Sequence, residues 1–270
     1  METILIAYAP DGRPIGRDTY RLFLRCVPGR QSGQDDDQYT CARFTLQSGD
    51  SPEVVIPALA GWTYPFKRTT GIDERGQVFG IDHGKFENLK DGSGVALPPD
   101  KAYLVYNSFI DFHAFCNEFA EPTTEGGGIQ DLTRIGDRVV HNSAFSEPPV
   151  SLGSNVAEGS TFKNGEITLA FKGLSLIDNI PCALIGFDSG QSSFKMLLEP
   201  SPDMEIRTVG ASHYQGDIYI DLQSRWVRKV VLTELDVSET VLPVPPNKVN
   251  VVHERSVIIQ SITEKEFAQK

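Results

Sequence analysis

Histidine is the side chain best suited to proton transfer near neutral pH, and four of the five histidines in this chain have an acidic or small polar neighbour. The four candidates for a shared site are His83, His113, His141 and His213. Imidazole nitrogens that converge in a fold can transfer protons or bind a divalent metal ion, and a carboxylate such as Asp111 can orient one of the rings. Asp111 and His113 would share one face of a strand but not of a helix. These five residues form our candidate catalytic set. The alternative is ordinary histidines bonded to backbone carbonyls.

Two of these histidines lie in segments whose composition is typical of loops. His83 is flanked by Gly80 and Gly84, which leave the backbone room to approach a ligand or metal ion. The segment lacks the His-x-His pair that a cupin-type metal motif requires. His213 follows small residues in a segment that we expect to form one wall of a pocket, beside Tyr214. The sequence identifies no cofactor, and whether a metal is bound stays open.

The segment Phe187–Gly190 resembles the Asp-Ser/Thr-Gly active-site turn of retropepsin-like aspartic proteases. In that family Asp188 would share a proton with a second aspartate, supplied by another lobe or by a partner subunit. The chain contains no second Asp-Ser/Thr-Gly, and neither the flap nor the later apolar-Gly motif of the family is identifiable. Asp-Ser-Gly is also a common hairpin turn, which is the interpretation we favour.

Aromatic residues indicate a second kind of site. Trp62 and Tyr64 follow a predicted strand and precede two basic residues, whereas Phe109 and Phe112 belong to a segment rich in aromatics. An apolar cavity with a few polar groups at its mouth is the usual form of a small-molecule site. Together with Tyr214, these side chains are our candidates for binding an apolar or aromatic ligand. The alternative is that the rings only fill the core.

The elements that must position these residues are predicted to be mainly strands. Gly and Pro recur at short intervals between segments rich in Val, Ile, Phe, Tyr and Thr, which is typical of many short strands. Asp217–Leu222 alternates with its apolar residues, Leu222 included, on one face, and predicts a hairpin with Trp226–Leu235. In Ala102–Ala120, apolar residues recur every three or four positions and predict a helix. We expect a mainly β fold, a large curved antiparallel sheet or open barrel with this minor helical element.

Length and charge restrict the classes of partner. The 270 residues carry a formal net charge of −11, and no run of Lys and Arg compensates for it, so we expect no nucleic acid partner. No apolar stretch approaches the roughly 20 residues of a membrane span. We expect one β-rich domain, residues 1–270. The Gly-rich run Thr123–Gly128 leaves open a subdivision into residues 1–122 and 129–270.

The compartment is constrained only weakly. Residues Met1–Tyr8 lack the basic and long apolar regions of a signal peptide and predict a first strand. The four cysteines form no C-x-x-C pair, which argues against zinc-knuckle and thioredoxin-type sites. We expect a cytoplasmic protein by default. An exported protein whose signal was removed, with Cys26 bonded to Cys41, stays open as an alternative.

Two functions remain compatible with these patterns, and neither implies a known oligomeric state. The first, which we favour slightly, is binding of an apolar or aromatic small molecule. The second is a lyase, isomerase or hydrolase that uses His and Asp residues for acid–base or metal-assisted chemistry. Under the second hypothesis His113→Ala abolishes activity, whereas under the first it changes only stability.

Overall fold

The computed structural model describes residues 1–29, 36–67, 78–120, 128–143, 145–146, 156–201, 204–245 and 247–269. Its strands are β1 (Glu2–Tyr8), β2 (Pro14–Val27), β3 (Gln38–Ser48), β4 (Val54–Val55), β5 (Trp62–Pro65), β6 (Arg138–His141), β7 (Phe145–Ser146), β8 (Thr161–Lys163), β9 (Ile167–Ile177), β10 (Ile180–Asp188), β11 (Ser192–Ser201), β12 (Met204–Asp221), β13 (Val227–Val241) and β14 (Lys248–Gln260). Its helices are α1 (Pro99–His113), followed at once by a π-helical turn (Ala114–Glu118), and α2 (Glu264–Gln269). Single 3₁₀ turns lie at Pro57–Leu59, His83–Phe86 and Ile129–Asp131.

All 14 strands belong to one sheet, in which neighbouring strands are antiparallel. The main path runs β4-β3-β2-β1-β14-β13-β12-β10-β9-β6, and β5, β11, β8 and β7 pair beside it. Within the described residues the outermost strands of this path, β4 and β6, do not pair with each other, so the sheet is open and not a closed barrel. Several register shifts, such as the one at Phe23 and Leu24, mark bulges that bend the strands. The predicted mainly β fold with a large antiparallel sheet is confirmed.

Strand β12 is the branch point of this sheet. One edge pairs with β13 along almost its whole length, from Arg207 to Ile220. The other edge pairs with β11 in its first half and with β10 in its second half. The predicted hairpin of Asp217–Leu222 with the following strand is therefore confirmed. Leu222 is the exception, because it lies in the turn after β12 and is exposed.

Helix α1 packs on one face of the sheet, which we call the inner face. Phe109 stacks on Phe44 of β3, and Phe115 of the π-helical turn packs edge-on against Phe187 of β10. The predicted helix is confirmed with different bounds. It starts earlier, at Pro99, because proline fits the first turn, where no backbone N–H is needed. Among the described residues, no helix has the length and apolar character needed to cross a bilayer.

Two apolar clusters are buried between the helical layer and the sheet. One joins β2, β3, β5 and α1 with the segments around residues 56–59 and 79–89. The other joins β9, β10, β12, β13 and β14 with the π-helical turn. Met1 and Phe112 pack against both clusters, so the apolar packing is continuous across the sheet. Of the predicted boundary at Thr123–Gly128, only Gly128 lies within the described residues.

The four cysteines all lie within the described residues, and none forms a disulfide. Register explains this for the first two, because Cys26 lies opposite Tyr39 and Cys41 lies opposite Leu24. Cys26 and Cys41 are therefore not cross-strand partners.

Candidate functional site

His113 ends α1 and is completely buried. Its Nε2 lies 2.8 Å from the Tyr64 hydroxyl, and its Nδ1 lies 3.0 Å from Oδ1 of Asn117. The Asn117 amide donates to the Tyr39 hydroxyl at 2.9 Å. With the amide in this orientation, Nδ1 carries the imidazole proton and Nε2 accepts from Tyr64. We call Tyr39, Tyr64, His113 and Asn117 the His113 network.

Aromatic rings enclose this network. Phe66 stacks on the His113 ring at 5.0 Å, and the rings of Phe79 and Phe112 lie 6.1 and 5.2 Å from it. Burial lowers the pKa of His113 to about 4, and the bond to Asn117 offsets this only in part. The imidazole is therefore neutral near pH 7. Its contacts satisfy buried polar groups, which is what a core histidine requires.

The other candidate catalytic residues each have a different partner. Asp111 binds Arg255, His83 Nε2 lies 3.0 Å from the Tyr106 hydroxyl, His213 Nε2 lies 2.8 Å from Asp188, and the ring of His141 packs against Phe119 at 5.7 Å. Since the segment is helical, Asp111 and His113 point to different neighbours. Within the described part of the chain, no group of three His, Cys, Asp or Glu side chains is arranged to hold a metal ion.

The Asp188-Ser189-Gly190 segment follows β10 as a surface turn. Asp188 Oδ1 accepts from the Gly190 amide and from His213 Nε2, each at 2.8 Å, and the Tyr214 amide donates to Ser189 Oγ at 2.8 Å. Asp188 and His213 are both largely exposed. The bond from His213 lowers the pKa of Asp188. These are the bonds that an ordinary turn makes.

A group of ionisable residues lies on the inner face, between α1 and the strands β13 and β14. We call Asp111, Glu234, Asp236, His253 and Arg255 the carboxyl cluster. Arg255 donates from Nη1 to Asp111 and from Nε to Glu234, both at 2.8 Å, and so joins the helix to the sheet. The guanidinium also lies 4.9 Å from the centroid of the Tyr214 ring. The cluster combines three carboxyl groups with a single arginine.

The protonation of this cluster follows from its burial. Burial raises the pKa of Asp111, although the ion pair with Arg255 opposes that shift. Burial also raises the pKa of Glu234 to about 9, and the negative charges of Asp111 and Asp236 add to the effect. His253 Nδ1 lies 3.5 Å from Asp236 Oδ2 at the more exposed side. Near neutral pH, the raised pKa of Glu234 thus favours its protonated form, beside the Asp111–Arg255 ion pair.

We expect Glu234→Gln to remove a pH dependence of stability. The pKa of Glu234 is raised in the folded protein, so the native protein loses stability as pH rises from about 4.5 to about 9. In urea unfolding at pH 5, the wild-type protein and the variant should be nearly equally stable. At pH 9, the variant should be more stable than the wild-type protein by roughly 1–3 kcal/mol. The control is Glu239→Gln. Glu239 lies on β13 like Glu234, but it forms an exposed ion pair with Lys248 of β14. A variant that keeps the wild-type pH profile would show that Glu234 is ionised in the fold.

An open groove of about 580 Å³ lies beside the start of β1, between β2, β14 and α2. Its apolar lining includes Leu22, Phe23, Leu24, Phe112, Ile258, Ile262 and Phe267, and its polar lining includes Glu2, Arg21, Arg43, Thr45, Glu53 and Gln260. We call this cavity the groove. Arg21 and Ile258 belong to the outer face of the sheet, whereas Phe112 belongs to α1 on the inner face. The groove reaches both faces of the sheet. Strand β1 separates β2 from β14, but it begins only at Glu2, so the groove passes around its start.

The polar side chains of the groove are held in place by one another. Arg21 donates to Glu2 from Nε and to Glu53 from Nη1, both at 2.7 Å. The Thr45 hydroxyl also donates to Glu53. The guanidinium of Arg43 lies 4.4 Å from the centroid of the Phe23 ring, a cation–π contact. Two arginines and two glutamates thus form a charge-balanced rim around an aromatic floor.

Helix α2 forms one wall of the groove through Phe267. The Phe267 ring packs edge-on against Phe23 at 5.9 Å, and the Arg25 guanidinium lies 4.6 Å from its centroid. Arg25 also forms an ion pair with Glu264 at 2.8 Å. Through these contacts, Phe267 and Glu264 join α2 to β2.

The structure separates the predicted ligand-binding residues. Phe112 lines the groove. Trp62, Tyr64 and Phe109 pack against one another in the core, with ring centroids 4.5 to 6.1 Å apart, and Tyr214 lies under Arg255. Sequence reasoning missed the groove residues on β2, β3, β14 and α2. The signal that could have found them is the alternation of Arg21 and Phe23 with buried neighbours along β2.

The groove offers a cavity for a ligand, and the carboxyl cluster offers a carboxyl group, Glu234, with a raised pKa. Neither contains a sequence motif that identifies a reaction. Function is therefore inferred from the chemistry of these two regions. Comparison of the chain with protein-family models, with curated proteins and with solved structures finds no match.

Proposed function

We propose that this protein binds a small molecule with an apolar or aromatic body in the groove. The observation that carries the proposal is the groove itself, about 580 Å³ in volume with three phenylalanine rings in its lining. Binding sites for small molecules typically measure about 300–1,000 Å³, with mainly apolar walls and a few fixed polar groups. The volume of the groove falls in this range, and its walls combine phenylalanine rings with several fixed polar side chains.

The lining supports a division of roles within such a ligand. The apolar body packs against Phe23, Phe112 and Phe267, where removal of apolar surface from water is favourable. A polar substituent meets the rim, where Arg21 and its two glutamate partners present both donors and acceptors. Because the charges of this rim balance, the groove favours a neutral or weakly charged molecule.

The test is a fluorescence titration with Nile red, a neutral aromatic dye. Ile258 lines the groove and is 38% exposed, so Ile258→Arg places a long charged side chain in the cavity without disturbing the core. We expect the wild-type protein to bind the dye and this variant to bind it at least about tenfold more weakly, a loss of about 1.4 kcal/mol, because the arginine side chain occupies space that the dye needs.

Val231→Arg is the matched control. Val231 is the cross-strand neighbour of Ile258, is 36% exposed on the same face and does not line the groove. It should retain wild-type affinity. Equal weakening in both variants would mean that the dye reports the sheet surface in general, and wild-type affinity in both would mean that the groove is not the site.

An acid–base enzyme is the second candidate, favoured by the carboxyl cluster alone. Glu234, protonated near neutral pH, is a potential general acid, with Asp111 and Asp236 as neighbouring carboxyl groups. The test is hydrolysis of 4-nitrophenyl esters and glycosides by the wild-type protein and by Glu234→Gln. Turnover that depends on Glu234 and declines near pH 9 supports this candidate. Absent turnover, or equal turnover in the variant, counts against it.

A further inference from the structure

Helix α2 cannot hold its position through its own helical bonds. It has six residues, and isolated helices of that length are unstable in water. Its position over the groove therefore depends on the contacts of Phe267 with Phe23 and Arg25, and on the Arg25–Glu264 ion pair. Both members of this ion pair are largely exposed, so it contributes little. Of the contacts described for Glu264 and Phe267, rotation of α2 away from β2 breaks the two ring contacts of Phe267 and this exposed ion pair.

The connection between β14 and α2 consists of residues 261–263, and hydrogen bonds fix both of its ends. The Ser261 amide donates to the Arg228 carbonyl at 2.9 Å, and its hydroxyl donates to the Val227 carbonyl at 2.8 Å. On the helix side, Thr263 and Glu266 bond each other reciprocally as a helix cap. Movement of α2 as a unit is therefore concentrated at Ile262 and Thr263.

We propose that α2 is a hinged lid that controls access of the ligand to the groove. The inference rests on the proposed function, because it assigns a regulation to the same site. In the closed position Phe267 forms one wall of the groove and narrows its mouth without sealing it. When α2 rotates about Ile262 and Thr263, this ring leaves the groove and opens the side that faces β2. The ligand enters the open groove, and the returning ring covers it.

Stopped-flow measurement of Nile red binding tests the lid. Phe267→Ala removes both ring contacts that hold α2 closed, so we expect the association and dissociation rate constants to rise together, each by about fivefold or more. Lys265→Ala is the control, because Lys265 is exposed on the same helix and does not line the groove. It should leave both rate constants unchanged. A faster dissociation with an unchanged association rate would make α2 a fixed wall and overturn the lid.

Hydrogen exchange of the unmodified protein gives a second measurement that needs no substitution. Amides of α2 should exchange rapidly without ligand and at least about tenfold more slowly when Nile red saturates the groove, whereas amides in the centre of β14 should not change. Dye binding without a change in α2 exchange overturns the lid and leaves the proposed function standing. A protein that does not bind Nile red contradicts the proposed function, and the lid is overturned with it.

Discussion

Replacement of Arg255 by methionine should lower the free energy of unfolding by about 3–5 kcal/mol, the usual cost of removing one partner from a buried ion pair. Arg255 is 7% exposed and bonds both Asp111 and Glu234. Methionine preserves much of the apolar stem of the side chain, so the loss reflects the missing guanidinium. The Asp111 carboxylate would then remain buried without a cation. The cost should be smaller at pH 5 than at pH 8, because burial favours the protonated form of Asp111.

Arg21→Met is the matched control for this experiment. Arg21 also bonds two carboxylates at comparable distances, but its side chain is 31% exposed. Water then solvates the two glutamates after the substitution, so the expected cost is only about 1 kcal/mol or less. Urea unfolding of both variants at pH 7 gives the comparison. A cost for Arg255→Met no larger than that for Arg21→Met would show that the carboxyl cluster is solvated.

His113→Leu should cost roughly 2–4 kcal/mol at pH 7, because the Tyr64 hydroxyl and the Asn117 side chain each lose a buried partner. The loss of stability caused by this substitution should become smaller as pH falls. The pKa of His113 is about 4 in the folded protein, below the ordinary 6.5, so the neutral ring stabilises the fold above pH 6.5. This stability is lost progressively as pH falls from 6.5 towards 4. Leucine does not titrate, so the cost of the substitution should shrink over that range.

Unfolding in urea at pH 7, 5.5 and 4.5 measures both effects. His213→Ala is the control, because His213 lies on the exposed surface with Asp188 as its partner. Its removal should change stability by no more than about 0.5 kcal/mol. If His113→Leu costs as little as His213→Ala, or costs the same at all three pH values, the His113 network does not have the buried character described above.

The main elements could be predicted because their signals are local. The three- and four-residue spacing in Ala102–Ala120 finds α1, since a helix repeats over a few neighbouring residues. The alternation in Asp217–Leu222 finds the end of β12. The sequence could not place the first turn at Pro99 or the change to a π-helical turn after His113, because such bounds depend on packing against the sheet.

The carboxyl cluster escaped prediction because alternation does not say which face of a strand is buried. In β13, Leu235 and Val237 alternate with Glu234 and Asp236, and the apolar pair would ordinarily face inwards. The structure shows the reverse, with Leu235 and Val237 exposed. The earlier part of the strand determines which alternate residues face the core, because Val230 and Leu232 are buried there. The charged residues that follow at even positions must then face α1, where Arg255 binds Glu234.

The candidate sites escaped prediction for a different reason. Each of the four candidate histidines has a partner far away in sequence, as with Tyr64 for His113 and Asp188 for His213, although His113 also bonds Asn117 four residues later. The groove likewise joins Arg21 of β2, Ile258 of β14 and Phe267 of α2. Residues this distant meet only through tertiary structure. Nothing in the spacing within one segment can indicate their meeting.

The pairing of β1 with β14 has a consequence for the kinetics of folding. It brings Tyr8 to 3.2 Å from Glu254, a residue 246 positions later in the chain. Contacts this remote raise the contact order of the fold, and the entropy of closing so long a loop must be overcome before the contacts stabilise the chain. Refolding should therefore be slow. The groove lies beside this junction, so the capacity to bind a dye should return only in the slowest refolding phase, after much of the secondary structure has already formed.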